Sequence, residues 1–456
     1  MATGSGGLRM MEPVSIKGVH FKNRLIRSSI GGQLAAADGH VTDVWTSFEK
    51  RFARTGVAAL ISATVSVSPR RYSPLYYPNL AHDGFVRSLR RAVAAVKAAG
   101  DCNYILQIGD PGYHTQTSLL PQEDDARSAS WVFDLLYGYG NHAIRLREEE
   151  IAAVVASYAE GARRAREAGC DGVEITASKG YLIQQFLNPA TNRRRDGYGG
   201  SLAKRARFMR EVVAAVRAAV GPDFLLGVRL SARDHNFLPV NLRLPPVLPL
   251  RHWIMGNGLA ESLTFARELE GLGVDYLHIS NGFGFINPKE SPGDFPVPEV
   301  RRVFNASRHL SFKAQLRATL VNLIPAFLLR LIFGFGWGKK ELGANGRHAA
   351  EFKEAVRIPI IANGGFQSRR LIEDTLDAGR CDMVSLARPL LANPDLLDVF
   401  RRADEPDRPC TFCNRCSVLT AVVPVGCYEP TRFANQDEME ADILKWAADP
   451  DEAAAR

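Results

Sequence analysis

Several features are scarce in this sequence, and each absence removes a class of protein. The opening residues, Met1 to Gly7, are small and polar, with no charged stretch leading into an apolar core and a small-residue cleavage site. No secretory signal is read there, and the cytoplasm is the default compartment. Cysteine is sparse, seven residues in 456, which argues against a fold stapled by disulfides. No Gly-rich dinucleotide fingerprint follows the first strand-like run, which counts against a doubly wound sheet. Carboxylates vanish between Val300 and Glu341, where Arg301, Arg302, Arg308, Lys313, Arg317, Arg330, Lys339 and Lys340 have no acidic neighbour in sequence. That surplus is as large as the whole net charge of +8, so the basicity is local and no nucleic-acid partner is expected.

What is present points to a barrel. At 46% hydrophobic the chain can bury a large core, as one large domain with appendages. Glu12 to Phe21 reads as a hairpin and Asn23 to Ile30 as a first strand. Apolar runs at Ala58 to Val65, Asn103 to Ile108, Gly172 to Thr176, Phe224 to Leu230, Val274 to Ser280, Ile358 to Asn363 and Asp382 to Leu386 then alternate with helical periodicity. Leu89 to Ala99, Glu148 to Ala168, Leu202 to Ala219 and Leu259 to Leu272 are the clearest helices. Eight strands with intervening helices predict an α/β (β/α)8 TIM barrel, with its chemistry in the loops that follow the strands.

Two of those loops are long. Residues 235–258, after strand five, are rich in Pro and Leu, and residues 281–345, after strand six, contain the apolar run Ala318 to Gly338. That run nears the length of a bilayer span, but Pro325 and Arg330 interrupt it and both ends must return to one barrel face. Three readings stay open: membrane-surface contact through residues 301–340, a lid over the site, and an oligomer interface. The expected domains are a barrel over residues 1–400, carrying these two insertions, and a cysteine segment with an acidic tail over residues 401–456.

The most particular stretch runs from Asp171 to Phe208. It starts as a buried strand, breaks at Gly180, and then spends its residues on turn formers and polar groups. Gly180-Tyr181-Leu182, Gln185-Phe186-Leu187, Asn188-Pro189, Asn192, Arg194, Asp196 and Tyr198-Gly199-Gly200-Ser201 resemble the strand-four region of the old yellow enzyme family of flavin oxidoreductases. The resemblance is to the branch that includes 2,4-dienoyl-CoA reductase and trimethylamine dehydrogenase, and it covers about residues 10 to 430 outside the insertions. It implies FMN, with Gln107 at the pyrimidine edge, Arg229 near N1, and a phosphate nest from Gly364, Gly365, Ala387 and Arg388. Ser29, Ile30, Gly31 and Ala63 fall where the first two strand ends would meet the isoalloxazine.

The same resemblance implies hydride transfer to an activated alkene with Tyr181 as proton donor, a role suited to a phenol protonated at neutral pH. Thr176 and Lys179 replace the usual His/His or His/Asn pair. Both can donate to a carbonyl oxygen, and a desolvated Lys179 can also serve as a base. Asp110-Pro111-Gly112-Tyr113 and Ile286 replace other family histidines, which His114 and His235 are placed to compensate. These changes favour a more apolar pocket.

Cys410, Cys413, Cys416 and Cys427 are spaced to hold one [4Fe–4S] cluster or a zinc ion. The resemblance favours the cluster. The chain to Arg456 leaves no room for the FAD and nicotinamide domains of the branch's long members. Electrons are therefore expected from NAD(P)H, a separate reductase or a ferredoxin. The expected function is reduction of the C=C bond of a lipophilic α,β-unsaturated carbonyl or acyl substrate. Alternatives are dehydrogenation of an amine or C–C bond, and a non-catalytic membrane-associated electron-transfer scaffold. A homo-oligomer is plausible, as is peripheral attachment to the inner face of the membrane.

Overall fold

The computed structural model describes residues 8–70, 76–114, 126–132, 143–236, 249–284, 287, 293–334 and 342–451. Eight parallel strands form its centre: β1 (Leu25–Arg27), β2 (Ala59–Ile61), β3 (Asn103–Gly109), β4 (Gly172–Ala177), β5 (Leu225–Ser231), β6 (Tyr276–Ser280), β7 (Ile360–Ala362) and β8 (Met383–Leu386). Neighbours pair in sequence order, and β8 pairs with β1 to close the ring. The closed barrel leaves no free sheet edge in this ring. Helices such as Asp43–Ala53, Val86–Ala99, Glu148–Glu167 and Leu202–Val220 cover its outside. Several of these helices start where a hydroxyl can cap them: Thr42 accepts from the Trp45 N–H, Ser201 from that of Lys204 and Ser368 from that of Leu371.

Period-two alternation decides which residues meet the helices and which fill the barrel. Val173 and Ile175 of β4, Leu226 and Val228 of β5, and Leu277 and Ile279 of β6 join the core beneath the helices. Ile61, Ile105, Leu225, Tyr276, Ile361 and Met383 pack together inside the barrel, with Ile16 and Phe21 beneath them. Those last two come from the expected N-terminal hairpin, Val14–Ile16 paired with Val19–Phe21, which therefore stoppers the barrel's N-terminal end.

Along the inward row, Leu225 gives way to Gly227 and then Arg229, and Tyr276 to His278. The interior thus changes from apolar to ionisable within one strand length, towards the end where the loops emerge. Gly227 is required: a β-carbon there would collide with the buried ring of Tyr276.

The expected strand from Ala58 to Val65 is split into β2 and a short second piece, Val65–Ser66, which also pairs with β3. The insertion after β6 folds as helices Val297–Ser307, Phe312–Leu323 and Ala326–Gly334, broken where Pro325 lacks an N–H to continue the ladder. Among the described residues, no helix is long and apolar enough to cross a membrane. Most of the Pro/Leu-rich loop after β5, and Ile286, lie outside the described residues. Gly227→Ala is expected to cost about 1–3 kcal/mol by overpacking against Tyr276. Urea unfolding measures this, and an unchanged midpoint would mean that the barrel interior has slack.

Candidate active site

A hydrogen-bonded network occupies the barrel throat. Glu174 on β4 is fully buried; its Oε1 accepts from Gln107 Nε2 at 2.7 Å, and its Oε2 accepts from the Tyr276 hydroxyl at 3.2 Å and lies 3.0 Å from His278 Nδ1. Burial pushes this carboxyl up, but His278, Arg229 and Gln107 together outweigh it and hold it below the usual range. Burial also keeps His278 below its ordinary value, against the pull of Glu174. A neutral His278 then donates through Nδ1 to Glu174, with Nε2 2.8 Å from Ser385 Oγ on β8. Gln107 is oriented further by Thr64, whose hydroxyl donates to its Oε1 at 2.5 Å.

Above this network sit the residues expected to be catalytic. Arg229 and Thr176 are adjacent in the β5/β4 register. Thr176 Oγ1, Ser178 Oγ and Arg229 Nε are all buried without a protein partner. Three polar atoms left so in one throat mark a place where a ligand completes the hydrogen bonding. Lys179 then turns the chain with φ +66° and Gly180 with φ +75°. The lysine stands in a region that side chains avoid, a cost structures tend to carry at functional sites. The turn is braced: the Gly180 N–H donates to Gln184 Oε1 at 2.7 Å, and Gln184 Nε2 donates to Asp234 Oδ1 at 2.8 Å. Burial pushes Asp234 up to about 7.

Tyr181 follows at the start of the short helix Leu182–Leu187 and shares a hydrogen bond with Tyr77, a residue that leans on Gly31. Burial pushes the Tyr181 phenol up to about 12, so it keeps its proton across the physiological range. His114 meets it edge to face at 5.8 Å. Burial, then the charges of Lys313 and Arg317 on the insertion helix Phe312–Leu323, push His114 down to about 3. It is therefore a neutral ring. His235 adopts φ +44°, and its carbonyl accepts from Asn287 Nδ2 at 2.8 Å.

Positive charge gathers at the same mouth. Burial, and then the nearby Arg229 and Arg388 guanidinium groups, push Lys179 well below its ordinary value. Gly364 and Gly365, after β7, take φ +108° and +80°, which lets backbone approach a ligand without a side chain between them. Ala387 and Arg388 open the short helix after β8. Ser29, Ile30 and Gly31 follow β1, and Ala63, fully buried, follows β2. The structure therefore brings the expected cofactor residues to one end of the barrel, and these donors, cations and glycines fit an anionic, planar, hydrogen-bonding group such as FMN.

Arg388 also reaches the cysteines. It donates to Asn414 Oδ1, lies 4.8 Å from the Phe412 ring centre, and lines one cavity with Cys410, Cys413, Cys416 and Cys427. The loop takes left-handed turns at Phe412 and Asn414. The backbone N–H two residues beyond Cys410, Cys413 and Cys427 points back at each sulfur, as in metal–thiolate turns that stabilise negative sulfur. The thiols are close enough for the other three to act on Cys416, which burial pushes up to about 12. Among the described residues, no group of three or more His, Cys, Asp or Glu stands at metal-ligating spacing.

Comparison with known proteins settles the family. The model of the NADH:flavin oxidoreductase / NADH oxidase family matches residues 9–237, half of the chain. The chain belongs to that family. A dihydrouridine synthase model matches residues 340–427, which span β7, β8 and the cysteines.

A metal reductase of Desulforamulus reducens is 30% identical over 94% of this chain and 54% of its own length. A bilirubin reductase of Mediterraneibacter gnavus is 26% identical over 90% of this chain and 54% of its own length. The chain thus spans about half the length of these curated relatives. A 4,4'-dithiodibutanoate disulfide reductase of Rhodococcus erythropolis is covered more fully, 28% identical over 89% of this chain and 92% of its own length.

Among solved structures, a 2-naphthoyl-CoA reductase complex superposes with TM-score 0.70 at 20% identity, covering 97% of this chain and 58% of that one. The old yellow enzyme homologue of Zymomonas mobilis gives 0.65 at 20%, covering 91% and 99%. These two establish the shared fold.

Sequence reasoning alone missed Glu174, His278, Thr64, Tyr77 and the Gln184–Asp234 brace. For Glu174 and His278 a signal existed: each is an ionisable residue inside an otherwise apolar strand run, where an unpaired charge would be expensive.

The crowding of Lys179 has a measurable sign. Its folded pKa lies below the unfolded value of about 10.4, so between the two the unfolded chain binds the extra proton and stability rises with pH. Lys179→Met removes that slope. Without bound anion, the variant is expected to be the more stable protein at about pH 6, and the two should converge towards about pH 10. Parallel unfolding profiles across that range would show that Lys179 is not desolvated.

Proposed function

We propose that this FMN-dependent oxidoreductase reduces the C=C bond of a lipophilic α,β-unsaturated carbonyl or acyl compound. One observation carries the reading: a phenol that holds its proton, Tyr181, stands beside buried donors and cations that have an anionic ligand and a carbonyl oxygen to serve. FMN, when bound, supplies the hydride, replenished by NAD(P)H, a separate reductase or a ferredoxin. Gln107 and Arg229 would hold its pyrimidine side, with Gly364, Gly365, Ala387 and Arg388 around its phosphate. Ser29, Ile30, Gly31 and Ala63 would border the ring.

Thr176 Oγ1 and Lys179 Nζ donate to the substrate's carbonyl oxygen and stabilise the charge that grows there. Tyr181 gives its proton to the carbon next to that carbonyl. His114 stays neutral and shapes the pocket wall. The Gln184–Asp234 brace keeps the strained turn, and so the phenol, in place.

The four cysteines are proposed to hold a [4Fe–4S] cluster on a barrel-plus-cysteine arrangement, residues 1–400 and 401–456. The shared cavity, the N–H groups aimed at sulfur and the spacing of the cysteines along the sequence support it. Arg388 lines this cavity and would also help to hold the FMN phosphate. A second reading, dehydrogenation of an amine or C–C bond, draws on Lys179, whose lowered pKa suits a base.

Tyr181→Phe is expected to slow enone-dependent reoxidation of the reduced protein by roughly 10²–10⁴-fold, with flavin still bound. An unchanged rate would exclude the phenol as donor, and amine-driven flavin reduction would favour the second reading. In anaerobically purified protein, Cys413→Ser should abolish the broad, dithionite-bleached iron–sulfur absorbance while leaving the flavin bands. Persistence of that absorbance would remove Cys413 from the ligand set.

A further inference from the structure

The two helices Phe312–Leu323 and Ala326–Gly334 are amphipathic in an unusual sense: each seats one side on the rest of the protein and leaves large apolar side chains exposed on the other. Ala314, Ala318 and Val321 are buried, and Val321 and Leu329 pack with Val297, Val300, Val303 and Val418. Arg301 fixes the join by donating to the carbonyls of Val321 at 3.2 Å and Ile324 at 2.6 Å. The segment is thus well seated. Yet Phe312, Leu323, Phe327 and Leu331 are 71%, 74%, 72% and 67% exposed, with Leu320 at 37%. Residues 312, 320 and 323 share one helix face, and 327 and 331 stand one turn apart on the next. Five large apolar side chains exposed on two seated helices call for something to cover them.

Charge selects the occupant. No carboxylate occurs from Val300 to Lys340, and Arg302, Arg308 and Arg330 are exposed. Arg330 lies on the same face as Phe327, beside Leu331. A second copy docked through this patch would set like charges against each other, because a two-fold interface presents the same surface twice. An anionic lipid surface attracts those guanidinium groups and accepts the Phe and Leu side chains at its acyl boundary. The two helices, 12 and 9 residues long, are too short to span a bilayer and suited to lying along it.

We propose that these two helices dock the protein on a membrane surface bearing anionic lipid. The inner face of the same helix carries Lys313 and Arg317, whose charges act on His114 beside Tyr181. Docking therefore sets the mouth of the site against the lipid, where a lipophilic substrate is dissolved. Delivery of that substrate rests on the reaction proposed above, but the docking does not.

The test uses the full chain with its cofactors and reads binding alone. Flotation with phosphatidylcholine vesicles is compared with flotation on vesicles that also contain phosphatidylglycerol. The protein should rise with the anionic vesicles, less so as salt increases, and little with phosphatidylcholine alone. Replacing Phe312, Leu323 and Phe327 together by Ser should reduce the bound fraction about tenfold or more, with flavin spectrum and unfolding midpoint unchanged. Arg308→Glu with Arg330→Glu should act in the same direction.

Failure of the parent protein to float, or equal flotation of the Ser variant, would overturn the proposal. So would light scattering that shows a dimer dissolved by the Ser substitutions without vesicle binding, since a second copy would then be the occupant. Loss of enone reduction with flotation intact would sink the reaction and leave the docking standing.

Discussion

A carboxylate in the throat of a barrel must be satisfied on both oxygens, and Glu174 is satisfied by three residues from two other strands. Gln107, Tyr276 and His278 reach it from β3 and β6, and through His278 it is tied to Ser385 on β8. This ties the barrel together across its axis, above the apolar plug made by the N-terminal hairpin. It also sets the electrostatics of everything above. One fixed negative charge lies beneath Arg229, and a crowd of cations rises from there to Lys179 and Arg388. The throat is arranged as a gradient: grease at the bottom, a hydrogen-bonded carboxylate in the middle and positive charge at the rim. An anionic cofactor entering from the loop side meets successive attraction and ends against groups that have no other partner, such as Arg229 Nε.

Much of this was legible in the sequence because it depends on local pattern. The strands and the helices at 148–167, 202–220 and 259–271 follow from periodicity, and the N-terminal hairpin from a turn at Lys17-Gly18, both at positive φ. The stretch from Tyr181 to Ser201 could be recognised because its turn chemistry is specified residue by residue. Asn192, for example, donates to the carbonyls of Phe186 and Tyr198, contacts that few other side chains could make.

What was not legible depends on juxtaposition across the barrel. Glu174 and His278 are far apart in sequence, and nothing local reveals that they meet. Tyr77 is similar: it sits in a loop without periodicity, and only the fold brings it to Gly31 and Tyr181. The insertion after β6 lay between these extremes. Its composition showed that it was greasy and basic and that Pro325 interrupts it, but not that Lys313 and Arg317 would be buried while Phe312, Leu323 and Phe327 stay exposed. Amphipathicity of that kind inverts the usual expectation for a surface helix.

The seat of the helices Phe312–Leu323 and Ala326–Gly334 is made partly by residues that are synthesised much later. Val418, just beyond the third cysteine, belongs to the same apolar cluster as Val300 and Val321. Gly293 sits so close to the Phe412 carbonyl that no side chain fits, the Asp294 N–H donates to that carbonyl at 3.0 Å, and Asn414 Nδ2 donates to the Asp294 carbonyl at 2.9 Å. The roof over the barrel thus lacks its floor until the cysteine loop has been synthesised and shaped. During translation the segment emerges together with Val297, Val300 and Val303 but before Val418, the member of the cluster that lies beyond it. Its packing is therefore completed only when the cysteine loop has formed.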